Sequence, residues 1–367
     1  MTGLKPRPGI LDIAPYVGGE AKIEGREEAM KLASNESALG PSPKAIAAYQ
    51  AAAAELRRYP EGTCRELREA IGRHHGLDPA RIVCGAGSDE LLTLLTRAYV
   101  GPGDEMIYGE HGFLMYPINA KAVGATPVAV PEKDLTFDVD AVLKRVGPKT
   151  RAVFVANPNN PTGSYVPRDG MKRLAKSLPA TVLLVIDAAY AEFVSRNDYE
   201  AGVELVDAFP NVVMTRTFSK IYALASLRLG WVYAPAEIVN VLNRLRNPFN
   251  VSTAAQAAGI AALEDQAALA KARAHNDHWR PWLEKELASL GLEVHPGVAN
   301  FVLFKVGSGG QAADRAFAYF QSHGIIARKV KAYGLPDYLR ITVGTEAEMH
   351  AAVKAARGFV KAKEPAS

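Results

Sequence analysis

The sequence predicts an α/β protein, with a large domain whose mostly parallel sheet is sandwiched by helices and a smaller α+β domain at the C-terminal end. Three observations carry this expectation. Short, almost unbroken apolar runs recur between helical stretches: RIVC at 81–84, EMIYGE at 105–110, AVFVA at 152–156, TVLLVI at 181–186 and NVVMTRT at 211–217. Strands covered by helices on both faces read this way, whereas half-exposed strands alternate. Most of these runs stop abruptly at polar residues, and in parallel sheets ligands bind beyond the carboxyl ends of the strands, so the tips should share one rim. Finally, the composition shifts at Gly291, after which short strands and helices alternate compactly.

The chain has 367 residues and 48% hydrophobic content, enough for a large core and two domains. We expect an arm over 1–31, a large domain over 32–275 and a small domain over 276–367. The net charge of +4 comes without any run of lysines or arginines, which suits anionic small molecules better than nucleic acid. Cys64 and Cys84 are too few for a disulfide framework or a metal site, so a reducing compartment and no metal are expected. The N-terminal stretch lacks an apolar core and no later segment is long and apolar enough to span a bilayer. The expectation is a soluble, cytoplasmic protein without membrane or nucleic-acid partners.

Residues up to about Lys31 are rich in Pro and Gly and show no sustained period; Tyr16 is the residue to mark there, as an anchor packing on the body or as part of a site. LASNESALGPSP at 32–43 is a loop, and Ser42-Pro43 then start an alanine-rich helix ending near Arg58. Tyr59-Pro60 interrupts it. Thr63 with Glu66 reads as a capping box for a helix running to about His75.

Beyond RIVC, GAGSDELL invites a dinucleotide reading, but Glu90 stands where the third glycine belongs. What remains is a glycine-rich turn feeding a helix, whose free N–H groups favour a phosphate; Ser88 and Asp89 as plain helix caps are the alternative. After EMIYGE, His111-Gly112-Phe113 opens a helix through Tyr116, offering aromatic faces to a flat ring. NPNNPTG at 157–163 is stiffened by two prolines, which positions an amide or simply builds an elaborate turn. Asp187 closes a run so apolar that an unpaired carboxylate would be costly, so it needs a cationic partner unless it only caps a turn.

Lys220 follows the last of these runs. A free lysine has a pKa near ~10.4, so roughly one molecule in 2,500 is a neutral nucleophile at pH 7. The apolar neighbours Phe218, Ile221 and Leu224 and the cation Arg228 would lower that value, which suits Schiff-base chemistry; alone, a loop lysine is usually a solvated charge. Helices follow over 236–246 and 252–265, with a long one toward Leu290. In the small domain Arg328 and Arg340 lie on or beside strands, and LRIT puts Arg340 inside a β-branched run where its planar fork needs a carboxylate or phosphate.

Taken together, TFSK followed by LRLG, NPNNPTG, Asp187 with Tyr190, LASNESALGPSP and YGLPDYLRITVGT resemble the fold-type I aminotransferases that use pyridoxal 5'-phosphate, most closely those acting on histidinol phosphate. The resemblance spans nearly the whole chain. It implies that Lys220 bonds covalently to the cofactor and carries the proton, that Asp187 keeps the pyridine nitrogen protonated, and that Asn160 and Tyr190 tune the phenolic oxygen. It places Phe113 against the ring, and Ala86, Gly87, Ser88, Thr217, Ser219 and Arg228 around the cofactor phosphate, with Tyr59 reaching the phosphate of a neighbouring subunit. Tyr16 would enclose the phosphate end of the substrate, Arg328 would hold that phosphate, and Arg340 would receive the α-carboxylate of glutamate or 2-oxoglutarate. The implied activity is transamination between histidinol phosphate and 2-oxoglutarate in a homodimer with shared sites. Transamination of phenylalanine or tyrosine and, less so, decarboxylation of threonine phosphate are the alternatives. A transcription regulator on this body would need an appended helix-turn-helix, and a nicotinamide dehydrogenase the glycine that Glu90 replaces. IYALASLR departs from the glycine-bearing AYGLAGLR of many relatives, which puts the tightness of the lysine turn in question.

Overall fold

The computed structural model describes residues 3–26 and 28–362. Its strands are β1 (Met30–Lys31), β2 (Ile82–Gly85), β3 (Glu105–Gly109), β4 (Thr126–Val130), β5 (Thr150–Ala156), β6 (Leu183–Asp187), β7 (Val212–Thr217), β8 (Gly230–Tyr233), β9 (Glu293–His295), β10 (Phe301–Lys305), β11 (Ile325–Ile326), β12 (Arg328–Lys329) and β13 (Tyr338–Thr342). The seven-stranded sheet has the order β2-β8-β7-β6-β5-β3-β4. Neighbours from β4 to β7 pair parallel, while β8 runs antiparallel to both β7 and β2. Every residue of β6 and β7 is buried, which is why their sequences do not alternate.

Alternation survives only in which layer each side chain enters. Val153 and Val155 of β5 join a core with Leu67, Ile71, Met171, Leu174, Ala255 and Ala258, from helices on one face. Ala152 and Phe154 join Leu91, Leu95, Tyr116 and Leu242 on the other. The apolar runs thus supply both halves of a helix–sheet–helix sandwich, and their polar carboxyl ends come out on one edge, as expected.

The smaller sheet is antiparallel, in the order β12-β13-β10-β9. Its core brings Leu32 and Ala33 together with Leu283, Leu287, Phe304, Phe320, Ile341 and Phe359. β1 pairs parallel with β11, so the end of the N-terminal stretch is tied into this unit. The helix Gln266–Ser289 serves both cores, through Leu269 in the first and Leu283 and Leu287 in the second. The expected boundary between residues 275 and 276 falls inside that helix.

Local readings needed two corrections. The helix starting at Ser42-Pro43 is capped by the Ser42 side chain as expected, but it ends at Ala52 and tightens into a 3-10 turn, Ala53–Glu55, short of Arg58. Thr63 and Glu66 form no capping box. The helix Arg65–His75 begins after Cys64 in a left-handed conformation, and Glu61 accepts from the backbone N–H groups of Thr63 and Arg65 instead. A local carboxylate two residues upstream outcompeted the hydroxyl. The true capping box is Thr345 with Glu348, at the head of the last helix.

Candidate active site

A cavity of about 310 Å³ opens where the carboxyl ends of β5, β6 and β7 meet the small unit. Tyr16, Ser88, Phe113, Asn160, Asp187, Tyr190, Thr217, Ser219, Lys220, Arg228, Arg328 and Arg340 all line it. These residues span most of the sequence, so the fold gathers the predicted rim.

Lys220 follows β7 at its carboxyl end. Its Nζ donates to the Ser34 carbonyl at 3.3 Å and stands 5.6 Å from the centre of the Tyr190 ring. Burial, with the Arg340 guanidinium adding to it, lowers the amine to about 8. Among the described residues no carboxylate pairs with it directly, so the neutral form is accessible near physiological pH.

Asp187, at the tip of β6, is 6% exposed and its carboxylate meets no cation among the described residues. Tyr116 donates to Oδ2 at 3.0 Å and Thr215 to Oδ1 at 3.3 Å. Burial pushes this carboxyl up to about 6, with those hydrogen bonds pulling it back. Hydroxyl donors alone leave a buried anion under-compensated, so the site calls for a positive group in the cavity.

At one end of the cavity lies an anion cradle. Ser88 opens the helix Ser88–Tyr99, beside Arg228, whose guanidinium reaches the Ser219 hydroxyl at 3.4 Å and the Asp89 carboxylate at 3.5 Å. The Thr217 hydroxyl donates to the Ser219 hydroxyl at 3.0 Å and accepts from the Ser219 N–H at 3.1 Å. Gly87 has φ +86, and a Cβ there would stand 2.5 Å from the Arg228 guanidinium. Glycine is therefore required for the guanidinium to lie over the turn.

At the other end Arg340, 4% exposed, donates to Asn160 Oδ1 and to the Ala33 carbonyl, while its buried Nε has no partner. Arg328 donates to the Val17 carbonyl at 2.8 Å, and Tyr16 sets its ring edge-on to Phe113 at 6.3 Å. Among the described residues neither guanidinium has a carboxylate partner, which marks this end for an anion as well.

A sequence profile described as "Aminotransferase class I and II" matches residues 27–355. The chain belongs to that family. It is 58% identical over 363 residues to a histidinol-phosphate aminotransferase of Paramagnetospirillum magneticum, covering 99% of this chain and 100% of that relative. A second one, from Rhodospirillum centenum, is 56% identical over 361 residues, with 98% and 100% covered. Among solved structures, the histidinol-phosphate aminotransferase from Sinorhizobium meliloti in complex with pyridoxal-5'-phosphate superposes with a TM-score of 0.92 at 31% identity, over 99% of this chain and 100% of that one.

Not every residue marked in this aminotransferase's sequence reaches the cavity. Ala86 and Gly87 flank it: the Ala86 N–H donates to Glu90 and that of Gly87 to the Gly85 carbonyl. Glu90, which ruled out a dinucleotide turn, also receives the Asn250 amide and so staples the loop. Tyr59 is 82% exposed and stacks on Phe249 at 4.7 Å, away from the cavity of its own chain. Asp89 makes no cap hydrogen bond and faces Arg228 instead.

The structure also adds residues that sequence reasoning passed over. Asn35, buried at 1% exposure, donates to the Tyr190 hydroxyl at 2.8 Å. Its φ of 56° lies in the left-handed region, where asparagine is enriched, but nothing local announced that contact. Tyr116 turns out to support Asp187 from below rather than to offer a face, while Phe113 borders the cavity. In the lysine turn Ala223 takes φ 58°, so the turn keeps its left-handed geometry without the glycine.

Proposed function

We propose that this aminotransferase moves the amino group of histidinol phosphate to 2-oxoglutarate, with pyridoxal 5'-phosphate as cofactor. The observation that carries the reading is one cavity holding a depressed lysine, a buried carboxylate lacking a cation, and anion-binding groups at both ends. The residues fit the cofactor. Gly87 leaves the space a Cβ would fill under Arg228, Ser88, Ser219 and Arg228 supply donors for a phosphate, and Asp187 supplies the anion a protonated ring nitrogen would neutralise. When bound, the cofactor supplies an aldehyde that takes up the amino group and a ring that draws electron density from the reacting carbon.

The chain's own residues do the rest. Lys220 Nζ, lowered to about 8 so that roughly a tenth of it is neutral at pH 7, would be the nucleophile that holds the cofactor and the base that carries the proton removed from the substrate carbon. Asn35 holds the Tyr190 hydroxyl, which together with Asn160 would hold the phenolic oxygen of the cofactor. Phe113 would cover the cofactor ring, Arg328 would take the donor phosphate with Tyr16 lining the same cavity, and Arg340 would take the α-carboxylate of the second substrate.

The reading includes a homodimer. Ile46, Tyr49, Leu56, Tyr59 and Phe249 are exposed apolar side chains near one another in sequence or contact, and Tyr59 is free to serve a partner's site. The test is Lys220→Ala, expected to abolish both turnover and the visible absorbance of the lysine-bound cofactor. A donor panel of histidinol phosphate, phenylalanine, tyrosine and threonine phosphate, with carbon dioxide monitored, should single out the first. Retained colour and activity in the variant would refute the assignment.

A further inference from the structure

We propose that Tyr333 is a substrate-binding residue whose hydroxyl donates to the phosphate of the amino donor, and that His111 is the positioning residue that holds it there. The proposal rests on the donor reading above. Tyr333 ends the short turn Lys331–Tyr333 and is 3% exposed, its ring packed with Leu303, Val330 and Leu335. Yet it lines the cavity, and among the described residues its hydroxyl makes no hydrogen bond. Buried tyrosine hydroxyls ordinarily find a partner, so this one is aimed at something that enters.

Its surroundings say what enters. The charged and titratable groups acting on the hydroxyl are Arg340, Arg328, Tyr16 and Tyr190, all of them cavity residues. Burial is the leading influence and pushes the hydroxyl upward, so it stays protonated and can only strengthen an anion's site as a donor. A phenol that shares the cavity with Arg328, the residue assigned to the donor phosphate, adds a further charge-assisted hydrogen bond to that phosphate.

The backbone of Tyr333 is anchored by the loop that follows β3. His111 Nδ1 lies 2.6 Å from the Tyr333 carbonyl, and a carbonyl only accepts, so Nδ1 carries the proton. The His111 carbonyl accepts from Asn159 at 3.2 Å and its N–H donates to Glu132 at 3.3 Å. His111 therefore joins the loop that presents Phe113 to the loop that presents Asn160 through its backbone, and to the turn that presents Tyr333 through its imidazole. Gly334, at φ +79, gives the turn its left-handed backbone, and a Cβ there would lie 3.4 Å from the imidazole, in ordinary contact.

The experiment compares holoenzyme with Tyr333→Phe, His111→Asn and His111→Gln, measuring kcat, KM for both substrates and competitive inhibition by inorganic phosphate. Tyr333→Phe should raise KM for histidinol phosphate and Ki for phosphate about tenfold, with kcat and the KM for 2-oxoglutarate within about threefold of wild type. Asparagine places a donor where Nδ1 stood and should behave like wild type, whereas glutamine should behave like Tyr333→Phe. Unchanged KM and Ki in Tyr333→Phe would overturn the contact, and identical behaviour of the two His111 variants would overturn the positioning role. Should wild-type enzyme refuse histidinol phosphate while phosphate inhibition still depends on Tyr333, the donor reading falls and the phosphate contact stands.

Discussion

Burial holds the Lys220 amine near 8, with Arg340 adding to the effect and Asp89 opposing it. Below that value the neutral fraction falls tenfold per pH unit, so apoenzyme should load pyridoxal 5'-phosphate about tenfold faster for each unit between pH 6 and about 8, then level off. A rate still climbing toward pH 10, followed by absorbance, would return Lys220 to the ordinary class. Asp187 makes the opposite kind of statement. Its carboxyl is raised to about 6 from 3.8, so its contribution to stability is full at low pH and is lost as pH rises through about 6. At neutral pH the ionised, unpaired group costs the apoprotein on the order of ~3 kcal/mol. Apo Asp187→Asn should therefore match or exceed wild type in denaturant stability at pH 8 and lose that advantage near pH 4, while the cofactor-loaded variant should turn over about 100-fold slower than loaded wild type. An apo variant clearly less stable at pH 8 would contradict the account.

Between elements, the decisive feature is how the turn after β2 meets the segment that joins β7 to β8. Gly87 at φ +86 and Arg228 at φ 51 place a backbone turn and a guanidinium in contact, with no room for even one methyl group. Gly87→Ala would strain the left-handed backbone by about 1–2 kcal/mol and push the guanidinium aside. We expect a folded protein, by circular dichroism, that releases cofactor at least about tenfold more readily on dialysis. Full retention would mean that Arg228 does not form the phosphate cradle. The lysine turn illustrates a related tolerance: Ala223 adopts φ 58° because the Lys220 and Phe218 carbonyls accept hydrogen bonds from residues 223 and 224, so the surrounding ladder imposes the conformation.

For the molecule as a whole, two cores share one helix, and the N-terminal stretch belongs to the second through β1, Leu32 and Ala33. That arrangement puts Ser34 and Asn35 over the cavity, where they reach Lys220 and Tyr190. Tyr59 and Phe249, stacked on each other and exposed, are the side chains that the proposed dimer would cover. Light scattering should return twice the 39.4 kDa of one chain, and Tyr59→Phe should weaken cofactor binding without dissociating the dimer. A fully active monomer would remove Tyr59 from the site.

Strand-forming runs, the polar tips beyond them and the lone lysine after NVVMTRT were readable because each is a local pattern: burial on both faces imposes continuous apolar residues, and ligand-facing tips interrupt them. Motifs gave Asn160, Asp187, Lys220 and Arg340 as a set. What only the folded chain decided are the contacts between distant residues: Asn35 with Tyr190, 155 positions apart, Tyr116 with Asp187, 71 apart, and Arg340 with Asn160, 180 apart. Periodicity reports which face of its own element a residue occupies. Which side chain it meets across the cavity depends on sheet order and on how the two cores are set against each other, and neither quantity is written in any local stretch of sequence.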